Sequence, residues 1–396
     1  MSNRSRKPKT RKGARAATGT RPGAPSARAR DRKADPRPRG PAAPAASGVE
    51  GVFFAELIKG LEAVGVAELR RLGARGVTLT AGGARFTAPD LKLFFRARTV
   101  AAFFLLVDFN VPRPKALLGD AAKRRLVAAV LRVAGAHGGG TELSGGTFGG
   151  LRLAAAGADS PVMQRLGREL AAAADLGFDQ EAGELLVRLL PAPNGSGWWA
   201  LVRLTPRPAS TRAWRVCNRA GGVNAAVAAA MNDLTGMRRF DRYLNLMCGS
   251  GTLLIERALA GPAARLVGVD VDAAAIICAE RNAHAAGVAS AVELITADVA
   301  DLGSELLAGA GPFDVITADA PWGDAVGHHA GNRRLHQVLF DKAAELAAPH
   351  ARLVLLTHEV RLMRALAPEL VAWELRQELQ VAHGGHHPLL LLFQRR

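Results

Sequence analysis

The stretch Asp241–Glu256, DRYLNLMCGSGTLLIE, constrains this chain more than any other. Its apolar run Tyr243–Met247 suits a buried strand. Cys248, Gly249, Ser250 and Gly251 then form a tight loop of small residues, and a helix opens near Thr252. Gly249 and Gly251 let the backbone turn sharply and let a ligand come close, because no Cβ stands in the way. The first amides of the following helix have no intrahelical acceptors, so they favour a polar or anionic group. A second apolar strand, Arg265–Val269, ends in Asp270, twenty-one residues after Gly249. A carboxylate there is placed to take the two hydroxyls of a ribose. Together these residues make a nucleoside half-site.

The residue types narrow the choice of nucleoside. A dinucleotide fingerprint, G-x-G-x-x-G, has Gly where this chain has Leu254. No G-x-x-x-x-G-K-[ST] cradle for a triphosphate occurs. A G-x-G between strand and helix is also common in α/β proteins of other kinds. The stretch resembles motif I of the Rossmann-like, S-adenosylmethionine-dependent methyltransferases, in the CGSGT form of RNA guanosine-N2 methyltransferases. That resemblance implies a cofactor site built from Asn245, Cys248, Gly249, Ser250, Gly251, Thr252, Asp270 and Asp298. The loop amides would meet the methionine end and Asp270 the ribose. Asp298 ends the next strand, VELITAD, and would accept from the adenine amino group; an ordinary helix cap is the competing reading.

Further on, PFDVITADAPWGD carries an apolar strand, Phe313–Ala318, into Asp319, Ala320, Pro321 and Trp322. This resembles motif IV of amino-methyltransferases, [DNS]-P-P-[YFW], with Ala320 where the commonest pattern has Pro. An exocyclic base amine is a poor nucleophile because its lone pair is delocalised into the ring. The Asp319 carboxylate and the Ala320 carbonyl can hold its two hydrogens and help localise that pair. Pro321 restrains the turn, and Trp322 offers a flat face to an extruded base. The expected site needs no metal.

The rest of the chain is organised around this domain. Residues 1–48 hold 14 Lys and Arg against two Asp, most of the formal net charge of +17. Rich in Pro and Gly and without apolar periodicity, they form an expected disordered basic tail, suited either to RNA phosphates or to solubility alone. Residues 52–110 read as β-α-β-β-α-β, the ferredoxin-like order, and 112–207 as a second α+β unit. The pair resembles the ferredoxin-like plus THUMP arrangement of RNA-modifying enzymes. In the link that follows, Arg207, Arg212, Trp214 and Arg215 are candidate RNA contacts, through phosphate and base stacking. It leads to a helix near Asn224–Leu234 that the resemblance packs over the cofactor loop.

Cys217, Cys248 and Cys278 lie far apart with no C-x-x-C pair, which argues against a disulfide framework or a zinc site. His383, His386 and His387 surround a Gly-Gly turn and read as a hairpin, not a metal site. His328 and His329, just past the catalytic loop, read as weak substrate-side candidates. With no secretory signal or membrane span, the expected location is the cytoplasm.

The fold expected is therefore α/β. A Rossmann-like methyltransferase domain with a closing antiparallel hairpin, 208–396, follows the two α+β units and the tail. The activity expected is methyl transfer from S-adenosylmethionine to an exocyclic base amine of structured RNA, with guanosine N2 of tRNA as leading target. An rRNA guanosine-N2 enzyme, a DNA adenine-N6 enzyme and a non-catalytic RNA-binding protein are the alternatives.

Overall fold

A computed structural model describes residues 51–90, 92–136, 147–303, 307, 311–320, 329–382 and 385–396. The expected tail, together with Pro321, Trp322, His328, the side chain of His329, and His383, lies outside the described residues.

The first sheet begins with β1 (Val52–Leu57), α1 (Glu62–Arg71), β2 (Arg75–Thr80), β3 (Gly83–Thr87), α2 (Lys92–Arg96) and β4 (Val100–Phe109). β1 lies between β3 and β4 and is antiparallel to both, giving the ferredoxin-like order β2-β3-β1-β4. Then come α3 (Asp120–Ala136), β5 (Gly150–Ala154), α4 (Pro161–Ala173), β6 (Gly177–Phe178), β7 (Leu185–Pro191) and β8 (Trp198–Arg203). β8 pairs with the outer edge of β4, from Phe104 opposite Arg203 to Phe109 opposite Trp198. The two expected α+β units therefore share one eight-stranded sheet, β2-β3-β1-β4-β8-β7-β5-β6.

β4 explains this continuity. Its run VAAFFLLVDF is apolar on both faces and mostly buried, as suits a strand in the middle of a sheet. Phe103, Leu105 and Phe109 join the core that includes Leu126, Val130, Leu166 and Leu170 of α3 and α4. Phe104 and Leu106 face the other way, onto Phe54, Trp199 and Leu201. Phe94 meets Phe53 and Phe103 edge-on, with ring centroids 4.8 and 5.0 Å apart. Each buried Phe contributes about 1.5–3 kcal/mol through the area it removes from water.

The second sheet follows α5 (Ala225–Leu234). Its elements are β9 (Arg242–Leu246), α6 (Thr252–Ala260), β10 (Arg265–Asp270), α7 (Ala273–Ala285), β11 (Glu293–Thr296), β12 (Phe313–Asp319), α8 (His329–Leu346), β13 (Ala347–Thr357), α9 (Val360–Leu366), β14 (Trp373–Gln380) and β15 (Leu389–Arg395). The order is β11-β10-β9-β12-β13-β15-β14. The first five strands are parallel, and β15 pairs antiparallel with both β13 and β14. From β9 the chain first builds outward through β10 and β11, then returns to β9's other side with β12. The carboxyl ends of β9 and β12 therefore flank the crevice where open α/β sheets bind ligands. This is the Rossmann-like arrangement expected, closing hairpin included.

The sheets dock through an apolar seam and a buried ionic cluster. Leu61, just before α1, and Val64 on α1 pack with Val227, Ala228 and Met231 of α5 and with Leu253 of α6. Glu256 on α6 is fully buried, its oxygens accepting from Arg98 Nε at 2.7 Å and Arg212 Nε at 2.8 Å. Among the described residues no helix is long and apolar enough to cross a membrane.

Candidate active site

The loop after β9 is made by backbone sign. Met247, Gly249 and Gly251 have φ of +52°, +55° and +79°, which turns the chain from strand into helix. A Cβ on Gly249 would meet no atom within 4 Å, so the backbone there is open to a ligand. A Cβ on Gly251 would stand 3.0 Å from that of Ala279, so here helix packing also demands glycine. Asp270 Oδ2 accepts from Gly249 N at 2.8 Å, and its Oδ1 accepts from Asp272 N at 3.0 Å. Each oxygen has a second lone pair for a ribose hydroxyl. Val271, beside it, is 67% exposed, an apolar face on the rim that sequence reading missed. Cys248 is buried, and burial together with the Asp270 charge pushes its thiol up, so it stays protonated.

Asn245 lies inside the sheet. Fully buried, its Nδ2 donates to the carbonyls of Leu246 and Thr317, both at 3.2 Å. Its Oδ1 has no partner among the described residues, which leaves an acceptor over at the foot of the loop. Beside it runs a buried chain of bonds. Thr317 Oγ1 donates to Tyr243 Oη at 2.8 Å, Tyr243 Oη to Asn232 Oδ1 at 2.6 Å, and Asn232 Nδ2 to the Leu253 carbonyl at 3.0 Å. This chain ties β12, β9, α5 and α6 together beneath the loop. Burial pushes the Tyr243 phenol up, so it remains a neutral link.

The link before α5 corrects two expectations. Cys217 and Cys278 form a disulfide, with Cα atoms 5.5 Å apart, although 61 residues of sequence separate them. One turn further along α7, the fully buried Asn282 accepts from Cys217 N at 2.9 Å and donates to the carbonyls of Cys217 at 2.9 Å and Ser250 at 3.0 Å. One side chain thus holds both the link and the glycine loop, and an Asn inside a helix gives no sequence signal of that. Arg219 pairs with Asp272 at the outer end.

Of the four candidate RNA contacts in this link, three turn inward. Arg212 is spent on Glu256 and on the carbonyls of Ala209 and Arg98. Trp214 is 9% exposed and packs on Ile255 and Ala283. Arg215 donates to the Val223 carbonyl, and burial lowers its pKa. Arg207 alone of the four is exposed.

Asp319 closes β12 opposite Leu356, and the next amide, Ala320 N, donates to the Leu356 carbonyl at 3.0 Å. The turn that begins the candidate catalytic loop is thereby pinned to β13. Asp270 and Asp319 end strands two positions apart in the sheet, a separation of about 10 Å at ordinary strand spacing. Asp298, past the end of β11, is exposed and accepts from Ala300 N at 2.9 Å, so it caps a short helical turn and keeps its other oxygen. His386 is exposed, its ring edge-on to that of His358 at 5.4 Å.

Several known proteins resemble this chain in sequence or in fold. Residues 212–388 match the family model of the UPF0020 group, an RMKL-like methyltransferase domain. The tRNA (guanine(6)-N2)-methyltransferase of Archaeoglobus fulgidus is 27% identical over 207 residues, 46% of this chain and 51% of that protein. The tRNA1(Val) (adenine(37)-N6)-methyltransferase of Porphyromonas gingivalis is 29% identical over 128 residues, 30% of this chain and 50% of that protein. The chain spans about half the length of the curated relatives it matches. The crystal structure of TrmN from Thermus thermophilus superposes with a TM-score of 0.68 over 87% of this chain and 99% of that one, at 22% identity. At that identity the likeness establishes the fold.

Proposed function

We propose that this chain transfers a methyl group from S-adenosylmethionine to an exocyclic base amine of structured RNA, with guanosine N2 of tRNA as the leading target. The observation that carries the reading is the Gly249–Asp270 hydrogen bond on the same sheet edge as Asp319. It joins a ribose-binding carboxylate to an open glycine backbone beside an acidic turn. The residues fit the cofactor: the open face at Gly249, the spare Asn245 acceptor and the exposed Val271 suit its backbone, ammonium and base.

When bound, S-adenosylmethionine supplies an electrophilic methyl on a sulfonium sulfur. Asp270 takes the ribose hydroxyls, and Asn245 and the loop amides take the methionine end. Asp319 accepts a hydrogen bond from the target amine, and its negative charge favours the positive charge that builds on nitrogen. As the methyl is transferred, Asp319 would take the proton that the amine loses and release it to water. Pro321 and Trp322 enter this scheme by sequence alone, as a restrained turn and a stacking face. In this reading the THUMP-like unit, 112–207, docks the RNA.

A second reading, transfer to adenine N6, is favoured by the similarity to the Porphyromonas gingivalis enzyme. Mass spectrometry of nucleosides from small and large RNAs of a strain lacking the gene separates the two. The proposal expects N2-methylguanosine to fall in the tRNA fraction. A loss of N6-methyladenosine selects the second reading, and an unchanged profile contradicts both.

A further inference from the structure

His336 on α8 is 1% exposed and bonds Thr357, the β13 residue that follows Leu356, the anchor of the Asp319 turn. Its Nδ1 is 2.8 Å from the Asn332 carbonyl, which can only accept, so Nδ1 carries the ring proton. Its Nε2 is 3.1 Å from Thr357 Oγ1 and must accept the hydroxyl proton. Thr357 Oγ1 in turn accepts from Glu359 N at 3.1 Å, and Glu359 Oε1 accepts from Asn332 Nδ2 at 2.7 Å. Donation therefore runs one way round a closed circuit, from His336 to Asn332 to Glu359 to Thr357 and back. From Glu359 N through the Thr357 hydroxyl and the ring to the Asn332 carbonyl the bonds are continuous, and each polarises the next; the Asn332 Nδ2–Glu359 Oε1 bond closes the circuit through separate groups.

The circuit joins α8 to the end of β13. Thr357 follows Leu356, whose carbonyl holds Ala320 N and which pairs with Asp319. Residues 321–328 connect Ala320 to α8 in sequence. The bonds of the circuit and the Ala320–Leu356 bond thus anchor the two ends of the candidate catalytic segment to the same strand.

We infer that His336 is a positioning residue for the Asp319–Ala320 turn, holding it through Thr357 only in its neutral form. The inference rests on the proposed methyl transfer. Protonation would put a hydrogen on Nε2 facing the Thr357 hydroxyl and break the one-way order. Burial disfavours the charged ring more strongly than the Asn332 carbonyl and the Glu359 carboxylate favour it, so its pKa is lowered. Glu359 is the charged group bearing on the ring among the described residues.

The test is the single-turnover rate of methyl transfer, at saturating cofactor and RNA, between about pH 5 and 8. The wild-type rate should fall on the acid side with a midpoint below the ordinary histidine value of about 6.5. His336→Gln can accept from Thr357 at every pH, so this limb should flatten. Thr357→Val removes the link itself, so it should lower the rate at every pH and abolish the acid limb without changing cofactor affinity. A limb that persists with an unchanged midpoint in either variant overturns the inference. The ring's own NMR titration in the free protein, assigned by the signal missing in His336→Gln, separates the two readings. A midpoint at or above the ordinary value overturns the circuit even if no RNA is ever methylated. A lowered midpoint with no methyl transfer at any pH overturns the proposed reaction and leaves the circuit standing.

Discussion

The amide of Gly249 donates to the carboxylate of Asp270 at 2.8 Å, across the gap between two parallel strands. The loop after β9 is therefore shaped by a residue at the end of β10, and the carboxylate is aimed by the same bond. Binding geometry and loop geometry are one structure here, so a change at either residue should appear in cofactor affinity first.

Asp270→Ala should weaken S-adenosylmethionine binding by about 2 kcal/mol, roughly thirty-fold in Kd, since hydrogen bonds to charged groups contribute ~1.5–3 kcal/mol. RNA affinity should barely move. Calorimetry of the folded variant decides this, and unchanged cofactor affinity removes Asp270 from the site.

Asn282 and the Cys217–Cys278 bond hold the same link, but only Asn282 also holds the loop carbonyl of Ser250. Asn282→Ala should cost about 1–3 kcal/mol of stability, because it leaves buried backbone groups unpaired. It should also raise the cofactor Kd several-fold. Cys217→Ser keeps the Asn282 bonds to the link's backbone and should raise Kd less. The opposite ranking in calorimetry would mean that the covalent tether, not the amide, shapes the loop.

Glu256→Ala leaves Arg98 and Arg212 without the buried carboxylate they share. Removing one side of a buried ionic cluster costs about 3–5 kcal/mol, which should be plain in the urea midpoint. Glu256→Gln, still able to accept from one arginine, should lose less. Equal midpoints for wild type and Glu256→Ala would show that the junction contributes nothing to holding the sheets together.

These residues also show what the sequence could and could not reveal. Gly249, Gly251 and Asp270 were legible because their backbone angles and chemistry admit few substitutes. The Rossmann-like architecture was legible for a related reason: apolar runs alternating with amphipathic helices have few ways to pack. Arg212 and Trp214 turn inward, which sequence does not show: an arginine looks the same whether it meets phosphate or a carboxylate 44 residues away, and a tryptophan the same whether it stacks on a base or packs in a core. Cys217 and Cys278 were hidden by their separation, which the fold of α7 against the link removes. The pairing of β4 with β8 was missed because an apolar strand does not announce which neighbour covers its edge.

The most direct measurement is single-turnover transfer of labelled methyl from S-adenosylmethionine to unmodified tRNA, comparing wild type with Asp319→Ala at saturating cofactor. The account predicts label on guanosine N2 with the wild type and a rate lower by ~10²–10³ for Asp319→Ala, the usual cost of losing such an electrostatic contact. Cofactor and RNA should still bind, and Asp319→Asn, which keeps an acceptor, should retain partial activity. Transfer by Asp319→Ala at the wild-type rate would contradict amine activation by this carboxylate.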